Sequence, residues 1–552
     1  MRGADLLAQT LANLGVDRIF SLSGNQIMPV YDACIDAGIK LVHVRQEAAA
    51  VHMADAWGRL TGQPGVALVT AGPGFANSLT GLYVARVSES PVVLLSGHAP
   101  LPQLGRGAFQ EMEQAEMASY VSKASWTAKN ALSLGDDVAN AFDIALSGRP
   151  GPVHIALPAD AINGEVDDLE GALLQVRRRP PSAVELADGD LQKVVHLLSS
   201  ADRPLILAGS MMLRGDPADA IRNFGITTGI PVVCMESPRG INDPALGAFA
   251  EVLASADLIL LMGKKLDFTL QLGEAIDPDA SIVQIDPDED VLKSTVRNVG
   301  DSARLTTFKA DPLSVVGPLT DVATEIEVSE TEWLDEVSSA VSYQPDSWLN
   351  MRAIPGDPLC SYEVTQAVQE YLNGADESIF ISDGGEFGQW AQACITSSTR
   401  IINGPAGSIG TAIPFAMAAR LARPNARIVT MLGDGTFGFH AMELDTAVRY
   451  GLDFVAVVGN DSAWNAEYQI QLREYGEDRT IETELLSSRY DQVAVALGAH
   501  GEYVTNADDL PQALDRAGSS GLPACINVVI NRDAAPVVRR GVESSGTSAT
   551  LH

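Results

Sequence analysis

The sequence is short of positive charge. Its 552 residues include 37 Lys and Arg against 71 Asp and Glu, a formal net charge of −34. A nucleic-acid partner needs clustered Lys and Arg to neutralise phosphates, so this balance excludes that class. Any anionic ligand must instead be met by local features, not by the overall field. Cysteine is scarce too. Cys34, Cys234, Cys360, Cys394 and Cys525 lie far apart, with no CxxC and no Cys/His cluster, which argues against a disulfide framework or a zinc site. No apolar run reaches the ~18 residues of a membrane span. The opening stretch MRGADLLAQTLANLG reads as an amphipathic helix, without the apolar core and cleavage site of a signal peptide. The expectation is a cytoplasmic protein with no membrane partner. Short-period repeats and low-complexity tracts are absent as well.

What is present is a hydrophobic share of 46% with 49 Gly, the composition of a large globular α/β enzyme. Apolar runs such as GVALVT, SPVVLLSG, PVHIAL, RPLILAG, DLILLMG, RIVTML and DFVAVVG alternate with amphipathic stretches. That rhythm predicts parallel sheets covered by helices. Two stretches break it, at 165–190 and 325–360, and read as linkers. The expected organisation is therefore three parallel-sheet α/β domains, at 1–170, 186–328 and 355–535, with a polar tail at 536–552.

The most informative stretch is ARIVTMLGDGTFGFHAMELDTAVRYGLDFVAVVGND. It predicts a strand ending at Leu432, a turn at Gly433-Asp434-Gly435, a helix to about Tyr450, and a second strand ending at Gly459. The glycines let the backbone approach a ligand, and the helix N-terminus behind them favours anions. Parallel strands joined by one helix bring Asp434 and Asp461 side by side at their carboxyl ends. Two such oxygen ligands suit Mg²⁺, which completes its shell with phosphate oxygens and water.

GDG followed by a βα unit and Asn-Asp resembles the diphosphate motif of thiamine diphosphate enzymes, where the pair is usually Asn-Asn. Asp461 is the departure. The resemblance adds the backbone carbonyl of Ala463 as a metal ligand and Gly433, Gly435 and Thr436 as diphosphate contacts. HVRQEAAAVHMADAWGRLTG resembles the glutamate segment of the acetolactate synthase and decarboxylase superfamily, with Gln46 replacing His. It implies that Glu47 shares a proton with the aminopyrimidine N1′, making the neighbouring amine an internal base. TAGPGFANSLTGL resembles the family's GPG loop, contributing Gly72 and Asn77, and NGPAGSIGTAIPFAMA resembles the segment that folds the cofactor, with Gly407, Ser408 and the bulky Ile409. The text around Ser382–Gln392 fits the pyrimidine-facing loop and adds Glu386. Neither Gly-rich turn gives GxGxxG in the context of a Rossmann fingerprint. The resemblance spans essentially the whole chain. It implies pyrimidine-binding, central nucleotide-binding-like and diphosphate-binding domains, with ADP, FAD or nothing in the centre. It also implies a homodimer at minimum, commonly a homotetramer, in which Glu47 of one subunit completes a site built on Asp434 of another.

For the reaction, Trp464-Asn465-Ala466-Glu467 departs from the acetolactate synthase pattern. Glu467 falls where pyruvate decarboxylases and 2-hydroxyacyl-CoA lyases carry an acidic residue, suited to exchanging a proton with a substrate hydroxyl. Its competing reading is an ordinary helix-surface Glu. Phe109 and Gln110 fall in the family's substrate loop, Asn25 and Gln26 replace the histidines of many decarboxylases, and Trp464 and Ala466 complete the expected pocket. His43, His52, His98 and His440 read as structural. The nearest resemblance is to bacterial 2-hydroxyacyl-CoA lyases, carried by FGFHAMELDTA, GNDSAWNAEYQIQLREYG and KKLDFTL. It implies cleavage of a 2-hydroxyacyl-CoA to a carbonyl compound and formyl-CoA, or the reverse. Lys264, Lys265, Arg539 and Arg540 are candidates for the CoA phosphates, or equally solvated surface. A carboligase or decarboxylase of 2-oxo acids or hydroxyketones, and a non-catalytic relative that binds the cofactor, are the alternatives.

Overall fold

The computed structural model describes residues 1–213, 215–300, 303–323, 331–354 and 356–540. Residues 541–552, most of the polar tail, lie outside the described residues. The chain forms two compact units. One comprises Met1–Ser182, Ile413–Pro424 and His440–Asp453, and the other Ala183–Ala412, Asn425–Phe439 and the residues from Phe454 onward.

The first unit holds a six-stranded sheet of β1 (Arg18–Ser21), β2 (Lys40–His43), β3 (Gly65–Val69), β4 (Val92–His98), β5 (Ala124–Thr127) and β6 (Pro152–Pro158). Its order is β2-β1-β3-β4-β6-β5, and every pairing is parallel. The central strands β4 and β6 are buried along their whole length, as parallel strands covered on both faces must be. Helix α1 (Glu47–Thr61) begins under a cap from its own Gln46 and stops at Gly62, which takes the left-handed conformation (φ 70°). Its alanines allow close packing on α2 (Pro73–Val87): a Cβ on Gly81 would lie 2.7 Å from Val51 Cβ.

The second unit holds two sheets. The middle one comprises β7 (Pro204–Ala208), β8 (Val232–Cys234), β9 (Leu258–Met262), β10 (Ser281–Asp286) and β11 (Leu305–Lys309), in the order β11-β10-β9-β7-β8. The stretch read as the second linker contains a helix, Thr331–Val341. Its Trp333, Val337 and Ala340 complete the apolar layer on one face of this sheet.

The last sheet comprises β12 (Ser378–Ser382), β13 (Thr399–Ile402), β14 (Arg427–Gly433), β15 (Val455–Asn460), β16 (His500–Val504) and β17 (Ala524–Val529). Its order, β13-β12-β14-β15-β17-β16, repeats that of the first sheet strand for strand, again all parallel. The order reverses between β12 and β14, and a crevice at the carboxyl ends of such strands is where open α/β sheets bind ligands. The helices of this stretch of chain are α3 (Gly385–Cys394), α4 (Ala412–Ala422), α5 (Asp434–His440), α6 (Glu443–Tyr450) and α7 (Asn465–Tyr475), of which α6 and nearly all of α4 belong to the first unit. The single helix expected from Gly435 to Tyr450 is thus two, divided by a turn at Ala441–Met442.

The three sheets are the three parallel-sheet α/β domains expected from the sequence rhythm.

Candidate active site

β14 and β15 run in register to Gly433 and Gly459, so Asp434 and Asp461 leave neighbouring strand ends together. Asp434 is buried. Its Oδ1 accepts from the Gly435 N–H at 2.9 Å, and its Oδ2 is buried with no hydrogen-bond partner. Burial pushes its carboxyl up to about 6. Burial, reinforced by the charge of Asp434, pushes Asp461 up to about 7. Two desolvated carboxylates with an orphaned oxygen between strand ends fit a divalent cation. Among the described residues no group of three or more His, Cys, Asp or Glu side chains gathers for a metal.

The loop after Asp461 is held by several contacts. Ser462 takes a left-handed conformation (φ 54°), Asp461 Oδ1 accepts from the Ala463 N–H at 3.1 Å, and Ala463 bridges to Glu484. Arg532, which the motifs did not point to, donates to the Asp461 carbonyl and the Ser462 carbonyl, both at 3.1 Å, and to Glu484 at 3.0 Å. Trp464 packs on the diphosphate turn: a Cβ on Gly435 would lie 2.8 Å from its ring.

Across the crevice, the loop after β12 meets the segment expected to fold the cofactor. A Cβ on Gly384 would lie 2.4 Å from Ile409 Cγ2 and 3.2 Å from Thr436 Oγ1, so these three residues converge. Asp383 fixes the turn beyond Ile409. Its Oδ2 accepts from the Gly410 N–H (3.0 Å), the Thr411 hydroxyl (3.2 Å) and the Ala412 N–H (2.8 Å) at the start of α4. Asn403 donates to the Ser408 carbonyl at 2.7 Å, and Gly407 sits at φ 65°. Glu386 is buried, takes a hydrogen bond from Gln389 at 2.7 Å, and has its pKa raised by burial, with the charge of Glu467 adding and Arg239 opposing. Glu467 itself occupies the first turn of α7 and is exposed on the single chain, while Ala466 is half-buried.

In the N-terminal unit Glu47 opens α1, is buried, and accepts from Asn77 Nδ2 at 3.0 Å. Gln110 is one of few non-glycine residues in the left-handed region (φ 56°), and strain of this kind concentrates at functional sites. Its Oε1 accepts from Gln26 Nε2 at 2.6 Å, and Gln26 Oε1 accepts from the Thr70 hydroxyl at 2.7 Å. Gly72 lies beneath: its added Cβ would be 2.9 Å from Gln110 Cβ, and its N–H donates to buried Gln114 at 2.8 Å. Gln26, Gln110 and Gly72 are thus brought together, whereas Asn25 is exposed and Phe109 is 71% exposed on the single chain. His52 is fully buried, with its pKa lowered well below the usual value, first by desolvation and then by His440. His43 pairs with Ser23 and His98 with backbone carbonyls.

Lys264 and Arg540, two of the four basic residues considered for CoA phosphates, are tied to acceptors of this chain. Lys264 is buried and donates to Thr269 at 2.5 Å and Asp267 at 3.4 Å, and Arg540 clasps Glu251 through its N–H (2.9 Å) and Nε (2.8 Å). Lys265 is half-buried and Arg539 exposed. No helix among the described residues is long and apolar enough to cross a membrane.

A doubly wound sheet with a glycine turn and two desolvated carboxylates at the carboxyl ends of β14 and β15 fits an enzyme that binds a diphosphate cofactor. Comparison with known proteins agrees. The family models for thiamine pyrophosphate enzymes match over residues 1–117 (N-terminal TPP binding domain), 191–308 (central domain) and 383–528 (C-terminal TPP binding domain). The chain is 31% identical to a probable acetolactate synthase of Mycobacterium bovis, covering 97% of each protein. It is 29% identical to human 2-hydroxyacyl-CoA lyase 2 over 96% of the chain and 90% of that protein. To the 2-hydroxyacyl-CoA lyase of Arabidopsis thaliana it is 27% identical, over 96% and 95%. The chain belongs to the thiamine pyrophosphate enzymes and depends on thiamine diphosphate.

Proposed function

We propose that this enzyme is a Mg²⁺-dependent carbon–carbon lyase that cleaves a 2-hydroxyacyl-CoA to an aldehyde or ketone and formyl-CoA, reversibly. The observation that carries the reading is the position of Glu467. It lies just beyond Trp464, whose ring packs on Gly435 of the diphosphate turn, and its charge is felt by buried Glu386. Bound thiamine diphosphate supplies the nucleophilic carbon and the electron sink that the cleavage needs. Asp434, Asp461 and the Ala463 carbonyl would hold the cation, and Ile409 would pack against the cofactor. Glu47 shares a proton with the aminopyrimidine. Glu467 takes the proton of the substrate 2-hydroxyl as the C–C bond breaks, and Gln26 and Gln110 hydrogen-bond the substrate oxygens. Arg539, exposed at the end of the described chain, meets a CoA phosphate. The enzyme works as a homodimer or a tetramer of such dimers, with Glu47 of one subunit serving the Asp434 site of another.

Similarity to the probable acetolactate synthase supports a second reading, a carboligase or decarboxylase of 2-oxo acids or hydroxyketones. The deciding assay supplies thiamine diphosphate and Mg²⁺ and compares a 2-hydroxyacyl-CoA with pyruvate and benzoin, reading products by mass spectrometry. Formyl-CoA from the first substrate alone supports the lyase. Acetolactate from pyruvate without formyl-CoA overturns it.

A further inference from the structure

We infer that Glu443 is a positioning residue for Glu47, setting the backbone from which the activating carboxylate springs. Glu443 opens α6 and is 1% exposed. Its Oε1 accepts from the backbone N–H of Arg45 at 2.9 Å and of Gln46 at 3.1 Å, the two residues immediately before Glu47. Its Oε2 accepts from the Thr446 hydroxyl at 2.6 Å, which fixes the carboxylate's rotation.

Two further donors at this helix start are met from another direction. Gln46 Oε1 accepts from the Ala48 N–H at 2.6 Å and the Ala49 N–H at 3.3 Å. Helix N-termini leave unsatisfied N–H groups, and here a local amide covers those inside α1 while a distant carboxylate covers those just outside it. The rest of α6 grips the same segment. Tyr450 Oη accepts from the His43 N–H at 2.8 Å and donates to the Leu41 carbonyl at 3.1 Å, Arg449 donates to the His43 carbonyl at 2.7 Å, and Asp445 pairs with Arg45 at 3.2 Å. Asn77 aims the Glu47 carboxylate itself at 3.0 Å. Glu443 and Asn77 therefore constrain Glu47 from its two ends, and Asn77 engages only Oε2 of its carboxylate. The inference rests on the reading of Glu47 as the residue that activates the aminopyrimidine.

The test uses the full-length protein. In the apo form, hydrogen–deuterium exchange of the peptide spanning Arg45 and Gln46 should accelerate at least tenfold in Glu443→Ala, while peptides from β4 and β6 keep wild-type rates. In the enzyme loaded with thiamine diphosphate and Mg²⁺, exchange of the cofactor C2 proton should slow on the order of 10²-fold, the effect of a displacement of about 1 Å at a catalytic group. Glu443→Gln keeps an acceptor for both N–H groups and should restore both readouts to within a few-fold of wild type. If Glu443→Ala does not fold, Glu443→Asp, one methylene too short to reach, takes its place with the same expectations. Unchanged amide exchange or unchanged C2 exchange in the Ala or Asp variant overturns the proposal, as does a Gln variant no better than either. Glu47→Gln run alongside keeps the two readings apart: if it leaves C2 exchange intact, the assignment of Glu47 fails, whatever Glu443 does.

Discussion

The carboxylates of Asp434 and Asp461 leave adjacent parallel strands and raise each other's difficulty. Both are desolvated, Asp434 Oδ2 has no hydrogen-bond partner, and the charge of Asp434 lifts Asp461 further, to about 7. Arg532 opposes the shift of both, but it spends its guanidinium mainly on backbone carbonyls and Glu484. The arrangement is unfavourable for the ionised apo protein and favourable for a bound cation.

A pH dependence of known sign results. A carboxyl group whose folded pKa lies above its unfolded value keeps its proton in the fold while the unfolded chain sheds it. The pair's contribution is therefore fully present below about pH 4 and is lost as pH rises through 6 to 7. A cation taken up by this pair must displace those protons, so under the proposed Mg²⁺ site the affinity for Mg²⁺ should climb from pH 5.5 to 7.5 and then level off, as titration calorimetry in the presence of thiamine diphosphate will read. Asp461→Asn removes the coupled charge. At pH 8 without Mg²⁺ this variant should be more stable than wild type by on the order of 2 kcal/mol, and the difference should shrink as pH falls and vanish only below about pH 4. Equal stability of the two proteins at pH 8 would mean that the pair is not strained.

Glu467→Gln should lower kcat for 2-hydroxyacyl-CoA cleavage by about 10²- to 10⁴-fold, the range of a lost general acid–base. Affinity for thiamine diphosphate should stay within a few-fold, because Glu467 is placed on α7 and not on the diphosphate turn. Full cleavage by the variant would return Glu467 to the status of a surface carboxylate.

Gly435→Ala places a methyl group 2.8 Å from the Trp464 ring, closer than real Cβ contacts come. Cofactor affinity should fall at least tenfold. Trp464→Leu clears that space, so the double variant should bind better than Gly435→Ala alone. This non-additivity is expected of residues in direct contact. Additive losses would show that the glycine is needed for a reason other than Trp464.

These cases show what could be read from the chain itself. Asp434 and Asp461 were legible because β-branched runs ending in GDG and Asn-Asp fix two strand ends, and parallel pairing does the rest. The division of the following helix at Ala441–Met442 was not, since the apolar pattern runs on through it. Glu443 was hidden for a different reason. It lies in an ordinary amphipathic stretch, and its partners are backbone N–H groups of Arg45 and Gln46, which leave no residue-type signature. Lys264 looked like half of an exposed basic pair, but Asp267 and Thr269 shortly after it supply acceptors that draw it inward. Trp464 read as pocket lining, and its packing on Gly435 appears only once the turn is folded.

Arg532 supplies the sharpest test of how the loop after Asp461 is held. Its Nε and one terminal nitrogen reach two successive carbonyls, of Asp461 and Ser462, while the other terminal nitrogen pairs with Glu484, and its guanidinium lies 5.2 Å from the centre of the Tyr468 ring. A planar fork can meet three acceptors at once, whereas a lysine ammonium on a flexible stem cannot reproduce the fork. Ser462 holds a left-handed backbone that costs ~1–3 kcal/mol and persists only when its surroundings enforce it. Arg532→Lys should therefore let the loop relax and weaken Mg²⁺ binding ten- to a hundredfold, the usual cost of losing a group that orients metal ligands. Overall stability should change little, because Arg532 lies outside the apolar core of its sheet. Wild-type Mg²⁺ affinity in Arg532→Lys would show that charge alone, and not the fork, keeps Asp461 in place.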